Sequence, residues 1–211
     1  EFMGLTMIGG FGMASFFVFI ASASFVYAGQ FGLSPAGFSI AFALNAIGFF
    51  AASQLAAGLG QRFGARVVVF RASLGFALCA SATFALAAAG FGSLPVVVAG
   101  LFLGNACLGL VIPTTMVMAL DDHGDIAGLA SSLGGTLQML TGGAVVALAG
   151  PFFDGTAVPM LAVIAICALA AFGLALYRGV FRRLLARSTP ATAGKLEGNS
   201  LLLFFGLSIL L

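Results

Sequence analysis

Six apolar runs separated by short junctions leave this chain little choice of fold. They lie near Leu5–Ala28, Gly37–Leu59, Val67–Ala89, Leu94–Leu120, Ile126–Ala149 and Thr156–Tyr177. A helix crosses the hydrocarbon core of a bilayer with about 20 mostly apolar residues, and each run is at least that long. Barrel strands are only about 10 residues and alternate in polarity, which these runs do not. Composition points the same way. The chain is 62% hydrophobic and 7% charged, where a soluble domain carries roughly 25% charged residues. So few charges cannot cover a water-exposed exterior. The 30 glycines suit helices whose backbones approach closely in lipid. The sequence predicts an all-α integral membrane protein with six spans.

The charges support the count independently. Arg62, Arg66 and Arg71 follow span two, and Arg178, Arg182, Arg183, Arg187 and Lys195 follow span six. These are all the Lys and Arg residues in the chain. Six spans put both groups on one side of the membrane. The junctions on the other side, Gln30–Gly37, Gly90–Ser93 and Gly150–Gly155, hold no cation and one acid, Asp154. Cations mark the cytoplasmic side, so both termini are expected there. An odd number of spans before Arg178 would spoil the partition.

The ends read differently from the middle. Residues 1–4 read as vector-derived or start residues, 5–180 as the six-helix bundle, and 181–200 as a basic and polar cytoplasmic tail. The apolar stretch 201–211 is too short to span and reads as non-native. An interfacial or partner-packing segment is the alternative. No signal-peptide pattern opens the chain. Cys79, Cys107 and Cys167 lie within apolar runs without metal-ligand spacing and read as small buried hydrophobes. The chain has no Trp, so Phe and two tyrosines must supply any interfacial belt, and Tyr177 beside Arg178 is placed for it.

Charged groups are missing from the middles of the spans. The polar residues there are amides and hydroxyls, including Asn45, Gln54, Asn105, Thr114, Thr115, Ser131, Thr136, Gln138 and Thr141. Polar side chains in a span face a cavity or another helix, because facing lipid is costly. At 100° per residue, Ser131, Gly135, Gln138 and Gly142 form one narrow stripe on span five. It serves as a close helix contact, a cavity wall, or both along its length. Asn45 and Gln54 face opposite ways on span two, so at most one lines a central cavity. In span four, Gly100 and Gly104 have a helix-packing spacing, Asn105 follows, and Pro113 frees the carbonyl of Gly109. That proline is a packing kink or a gating hinge.

Metal and enzyme chemistry find no support. Asp121-Asp122-His123-Gly124-Asp125 reads as a short loop in which Gly124 turns and Asp125 caps span five. His123 is the single histidine. An intramembrane serine protease needs a histidine within the membrane, and G-x-S-x-G does not occur. No catalytic residue, metal site or cofactor is expected.

The stretch Gly58-Leu59-Gly60-Gln61-Arg62-Phe63-Gly64-Ala65-Arg66 is expected to be a cytoplasmic loop, with two glycines turning it and two arginines flanking the turn. It reads as an ordinary cation-rich loop. Its spacing also resembles the G-x-x-x-D-R-x-G-x-R loop of the major facilitator superfamily: Gly58, Arg62, Gly64 and Arg66 match, and Gln61 replaces the acid. That departure resembles the degenerate copy between helices eight and nine. Gly109-Leu110-Val111-Ile112-Pro113-Thr114-Thr115 followed by Ala127-Gly128-Leu129-Ala130-Ser131-Ser132-Leu133-Gly134-Gly135-Thr136-Leu137-Gln138 is similar to helices ten to eleven of bacterial Bcr/CflA-type drug-resistance transporters. The stretches from Tyr27 to Ser34 and from Phe153 to Ala157, and Asn45 between them, resemble the same family.

The resemblance covers roughly residues 10 to 180 and implies the C-terminal six-helix half of a major facilitator fold, built as two three-helix inverted repeats. It implies a proton-coupled exporter of small amphipathic drugs in a bacterial inner membrane, working by alternating access. Asn45, Asn105, Thr115, Ser131 and Gln138 are then cavity-lining candidates, and Gly58, Arg62, Gly64, Arg66 and Pro113 loop or gating candidates. With no carboxylate inside a span, the proton carrier would lie in the N-terminal half. The implied partners are the bilayer, that half or a second copy, a drug and protons, with no nucleic acid. A non-transporting six-helix scaffold or truncated fragment, and a carrier of another small solute, remain alternatives.

Overall fold

The computed structural model describes residues 2–121 and 126–179 in full and 180–185 as helical backbone. All elements among them are helical. α1 runs Phe2–Phe25 and continues as a π turn over Val26–Gln30. α2 is Pro35–Phe63, α3 is Ala65–Leu86 with a π turn over Ala87–Phe91, and α4 is Leu94–Asp121. α5 is Ala127–Ala149 with a short 3-10 turn, and α6 is Ala157–Leu185. Six helices are thus long and apolar enough to cross a membrane. Phe2–Gly4, read from the sequence as vector-derived or start residues, form the first residues of α1. The readings for Asp122–Asp125 and for 186–211 lie outside the described residues. Ile126, just before α5, makes no side-chain cap.

Local chemistry sets the boundaries. Ser34 accepts a hydrogen bond from the Gly37 amide at 3.2 Å, and Pro35 opens α2 with its fixed φ. α2 then runs unbroken to Phe63, so Gly58, Gln61 and Arg62 are helical and not in a loop. The expected loop shrinks to Gly64. There φ is +87°, a conformation that favours glycine, and the Gly64 amide donates to the Gly60 carbonyl. Nothing earlier in the sequence interrupts the helical hydrogen-bond ladder. The Arg62 guanidinium lies 5.3 Å from the Phe63 ring centroid.

The bundle is the unit through Ala175; from Leu176 the chain forms a second unit. Within the bundle the helices pair out of chain order. α2 packs along α4, α1 along α5, α3 along α4, and α1 crosses α4. Each repeat, α1–α3 and α4–α6, holds three helices, so the second is inverted relative to the first. The contacts carry this symmetry. Gly10 on α1 meets Thr141 on α5, as Phe102 on α4 meets Gly48 on α2. Phe17 meets Gly142, as Gly109 meets Phe49. In each parallel pair a glycine lets the opposing side chain or backbone come close. At Gly109 an added Cβ would strike the Phe49 carbonyl oxygen. Gly100 and Gly104, spaced for packing, face Thr83 and Phe76 of α3.

The buried apolar residues form two clusters. Val18, Phe19, Phe76, Leu101, Leu108, Met160 and Leu161 form the main cluster, drawn from α1, α3, α4 and α6. Phe16 stacks on Phe49 and Phe19 on Phe42, fastening α1 to α2. The junction before α6 is tied by two side chains. Asp154 accepts from the Thr156 hydroxyl at 2.6 Å and from its amide at 2.9 Å. Gln30, at the end of α1, accepts from the Ala157 amide at 2.6 Å and so caps α6 from a distant part of the chain.

Two outcomes follow from these contacts. Gly109→Ala lowers the thermal midpoint of the chain in detergent by several degrees, whereas Gly135→Ala, whose added Cβ meets nothing within 4 Å, leaves it unchanged or raises it. Gln30→Ala costs about 1 kcal/mol in reversible unfolding, and Gln30→Glu, which keeps an acceptor, recovers most of it.

Candidate functional site

The polar side chains singled out by sequence fall into two groups, one on each parallel helix pair. On α2 and α4, Asn105 Nδ2 donates to Asn45 Oδ1 at 3.0 Å, and Asn45 Nδ2 donates to the Ala41 carbonyl at 2.9 Å. Both amides are buried. The pair closes in a setting where an unmet amide would have neither water nor lipid to bond. The Tyr27 hydroxyl, fully buried on α1, faces Asn45 without closing a bond of good geometry. Gln54, which the helical wheel sets opposite Asn45, is exposed.

On α1, α4 and α5, Gln138 is 7% exposed and lies against Gly9 and Thr115. A Cβ at Gly9 would fall 2.6 Å from Gln138 Nε2 and 3.0 Å from Thr115 Oγ1. Thr115 donates to the carbonyls of Val111 and Ile112, both at 2.9 Å. Gln138 Nε2 has no hydrogen-bond partner. The paired contacts of the two repeats place Gln138 at the position corresponding to Asn45. The same amide chemistry therefore recurs in both repeats, satisfied in one and open in the other.

The stripe on α5 turns out differently at its first half. Ala130, Gly134, Gln138 and Gly142 are buried, while Ser131 and Gly135 are half-buried. Gly134 packs near Met116 and Phe2, and Gly142 against Phe17. The packed face is offset by one residue before Gln138.

Pro113 lies inside α4, which stays helical through it. Thr114 donates to the Leu110 carbonyl, and Thr115 to the two that follow it. Neighbouring hydroxyls thus serve carbonyls around the proline, as proline in a spanning helix requires. Gly109, whose carbonyl the proline leaves free of its usual partner, is also where an added Cβ would strike the α2 backbone.

Sequence reasoning missed the surroundings of Asn105. A void of about 10 Å³, at the lower limit for one water, is lined by Ser15, Phe76, Thr83, Gly100, Asn105 and Leu161 among others. Thr83 signalled little, because its hydroxyl bonds back to Cys79 within its own helix. The arrangement closes Asn45, Asn105, Thr115 and Gln138 between helices. Reaching them requires α2 to part from α4, or α1 from α5. Among the described residues no His, Cys, Asp and Glu group could hold a metal ion.

The two amides should respond oppositely to apolar replacement. Asn45→Leu leaves Asn105 with a buried unmet donor and destabilises the bundle by about 1–2 kcal/mol. Gln138→Leu removes an already unmet donor and is neutral or stabilising. A double-mutant cycle between Asn45 and Asn105, read by reversible unfolding in micelles, returns a coupling of about 1 kcal/mol.

The chain is similar to a bacterial protein named "Uncharacterized MFS-type transporter YdgK", from Bacillus subtilis strain 168. The two are 32% identical over 182 residues, covering 82% of this chain and 44% of the relative. The chain thus spans less than half the length of the curated relative it matches. No protein-family model matches the chain, and no solved structure matches it significantly. Six apolar helices and this likeness together identify a multi-pass membrane protein related to a major facilitator-type transporter.

Proposed function

We propose that the chain is the C-terminal six-helix half of a major facilitator transporter of the Bcr/CflA type, which exports small amphipathic drugs in exchange for protons. The observation that carries this reading is the likeness to a transporter more than twice as long as the matched segment. The internal chemistry supports it. Amides recur at corresponding positions on two parallel helix pairs, and one of them, Gln138, keeps an open donor. Rocking one bundle against the other would part such pairs and turn Asn45, Asn105, Thr115, Ser131 and Gln138 toward substrate. Pro113, inside α4 beside Gly109, would act as the hinge of α4 in that motion. Gly58, Arg62, Gly64 and Arg66 would steady the α2–α3 end. Phe-rich, uncharged walls favour apolar or amphipathic cargo.

Orientation follows from the cations, with both termini cytoplasmic in a bacterial inner membrane. The working partner is the N-terminal half or a second copy. The spans of this half carry no mid-membrane carboxylate, so the proton carrier belongs to the other half.

Drug susceptibility in a pump-deficient bacterium tests the reading. The chain joined to a six-helix half bearing G-x-x-x-D-R-x-G-x-R raises resistance and lowers dye accumulation, and the chain alone does neither. A joined protein that moves no tested compound defeats the export reading. Proton-coupled flux by the chain alone defeats the placement of the carrier.

A further inference from the structure

Three facing pairs set the register along the α3–α4 contact. Thr83 lies against Gly100, Phe76 against Gly104, and Cys107 against Gly75. Positions fall along α3 as they rise along α4, so the two helices run antiparallel. A Cβ added at Gly75 would sit 3.2 Å from the Cys107 sulfur. Cys79 is one turn further along α3, on the same face as Gly75. Helical side chains lean toward the N-terminus of their own helix. The Cys79 thiol therefore leans back over Gly75, where the Cys107 sulfur already lies, and glycine leaves no side chain between them. The two thiols interact electrostatically, and both are half-buried.

The setting decides what such a pair can hold. Among the described residues no group of three or more His, Cys, Asp and Glu could hold a metal ion, so zinc, which prefers four ligands, finds too few donors. Two thiolates select a soft ion. Charge then chooses among those that accept two ligands. The nearest charged residue on either helix is Arg71, about 12 Å along the axis from Cys79. A monovalent ion between two thiolates would leave an uncompensated negative charge in apolar surroundings, which is costly. A divalent ion leaves none. The one-turn offset also suits a bridging atom better than the sulfur–sulfur bond of about 2.05 Å in a disulfide.

We propose that Cys79 and Cys107 form a two-coordinate site for the mercuric ion. Mercuric chloride is neutral and reaches the thiols from the lipid side, where Leu78 and Leu103 are exposed. Each thiol loses its proton, both mercury–chlorine bonds break, and two mercury–sulfur bonds form. Two equivalents of hydrogen chloride leave, and nothing is oxidised or reduced. α3 ends the first repeat and α4 opens the second, so the bridge ties the repeats together. The site uses none of the residues assigned to transport and stands apart from the export reading.

Titration of mercuric chloride into the 211-residue chain carrying Cys167→Ala, in nonionic micelles, tests it. One equivalent protects both remaining thiols from N-ethylmaleimide, and intact-mass spectrometry finds one mercury in place of two protons on a single chain. N-acetylcysteine strips the metal from this chain only at a concentration about tenfold or more above that needed for Cys79→Ala or Cys107→Ala, because the second thiolate binds intramolecularly. Leu78→Cys added to Cys79→Ala restores the thiol count about 100° away on α3 and does not restore the hold on the metal. Circular dichroism confirms equal helicity throughout, with Cys79→Ser and Cys107→Ser as a second set of single-thiol chains. Protection of one thiol only, a mercury-linked pair of chains, single-thiol variants that hold the metal as firmly as the pair, or recovery through Leu78→Cys overturns the proposal.

Discussion

The close approach of parallel helices through glycine is the constraint on which the rest of this bundle depends. Lipid offers helices no hydrophobic reason to associate, so contact area and interhelical hydrogen bonds must hold them. Gly10, Gly48, Gly109 and Gly142 supply the area, two for each parallel pair. At Gly109 the approach brings the α2 backbone itself against α4. Close backbones then bring short amides within reach, and the Asn45–Asn105 bond spans α2 and α4 at 3.0 Å. Longer side chains at the glycine positions would hold the helices apart and break the Asn45–Asn105 bond.

Pseudo-symmetry organises this chemistry. α1 with α5 and α4 with α2 are equivalent pairs, each joining one repeat to the other. The repeats therefore interlock and do not merely lie side by side. The equivalence is broken at the amides, since Asn45 has a partner and Gln138 Nε2 has none. A satisfied pair holds its crossing closed, whereas an open donor leaves its crossing ready for another acceptor.

Much of the fold was legible in the sequence because hydropathy and cation placement are independent signals that agree. The six runs differ from the helices by only a few residues at most ends. Turn chemistry was harder to read. Two glycines were expected to turn the chain in this stretch, yet of Gly58, Gly60 and Gly64 only Gly64 adopts positive φ, and the helical ladder carries through the others. The site was less legible still. Helical periodicity gives the angle of a residue about its own axis but not the neighbour it meets. Asn45 and Asn105 were each visible as polar, but their bond joins non-consecutive helices. On α5 the wheel selected Gln138 and Gly142, while Ser131 and Gly135 gave way to Ala130 and Gly134, one residue or about 100° away.

Disulfide trapping tests the interlocked pairing most directly. In a chain whose three native cysteines are replaced, Gly48→Cys with Phe102→Cys places two thiols across the α2–α4 crossing, and Gly58→Cys with Phe102→Cys serves as control. Mild oxidation in membranes should join the first pair rapidly and nearly completely, and leave the control unlinked. Failure of the first pair to join, or equal joining of the control, would contradict the packing of α2 along α4 and with it the interlocked repeats.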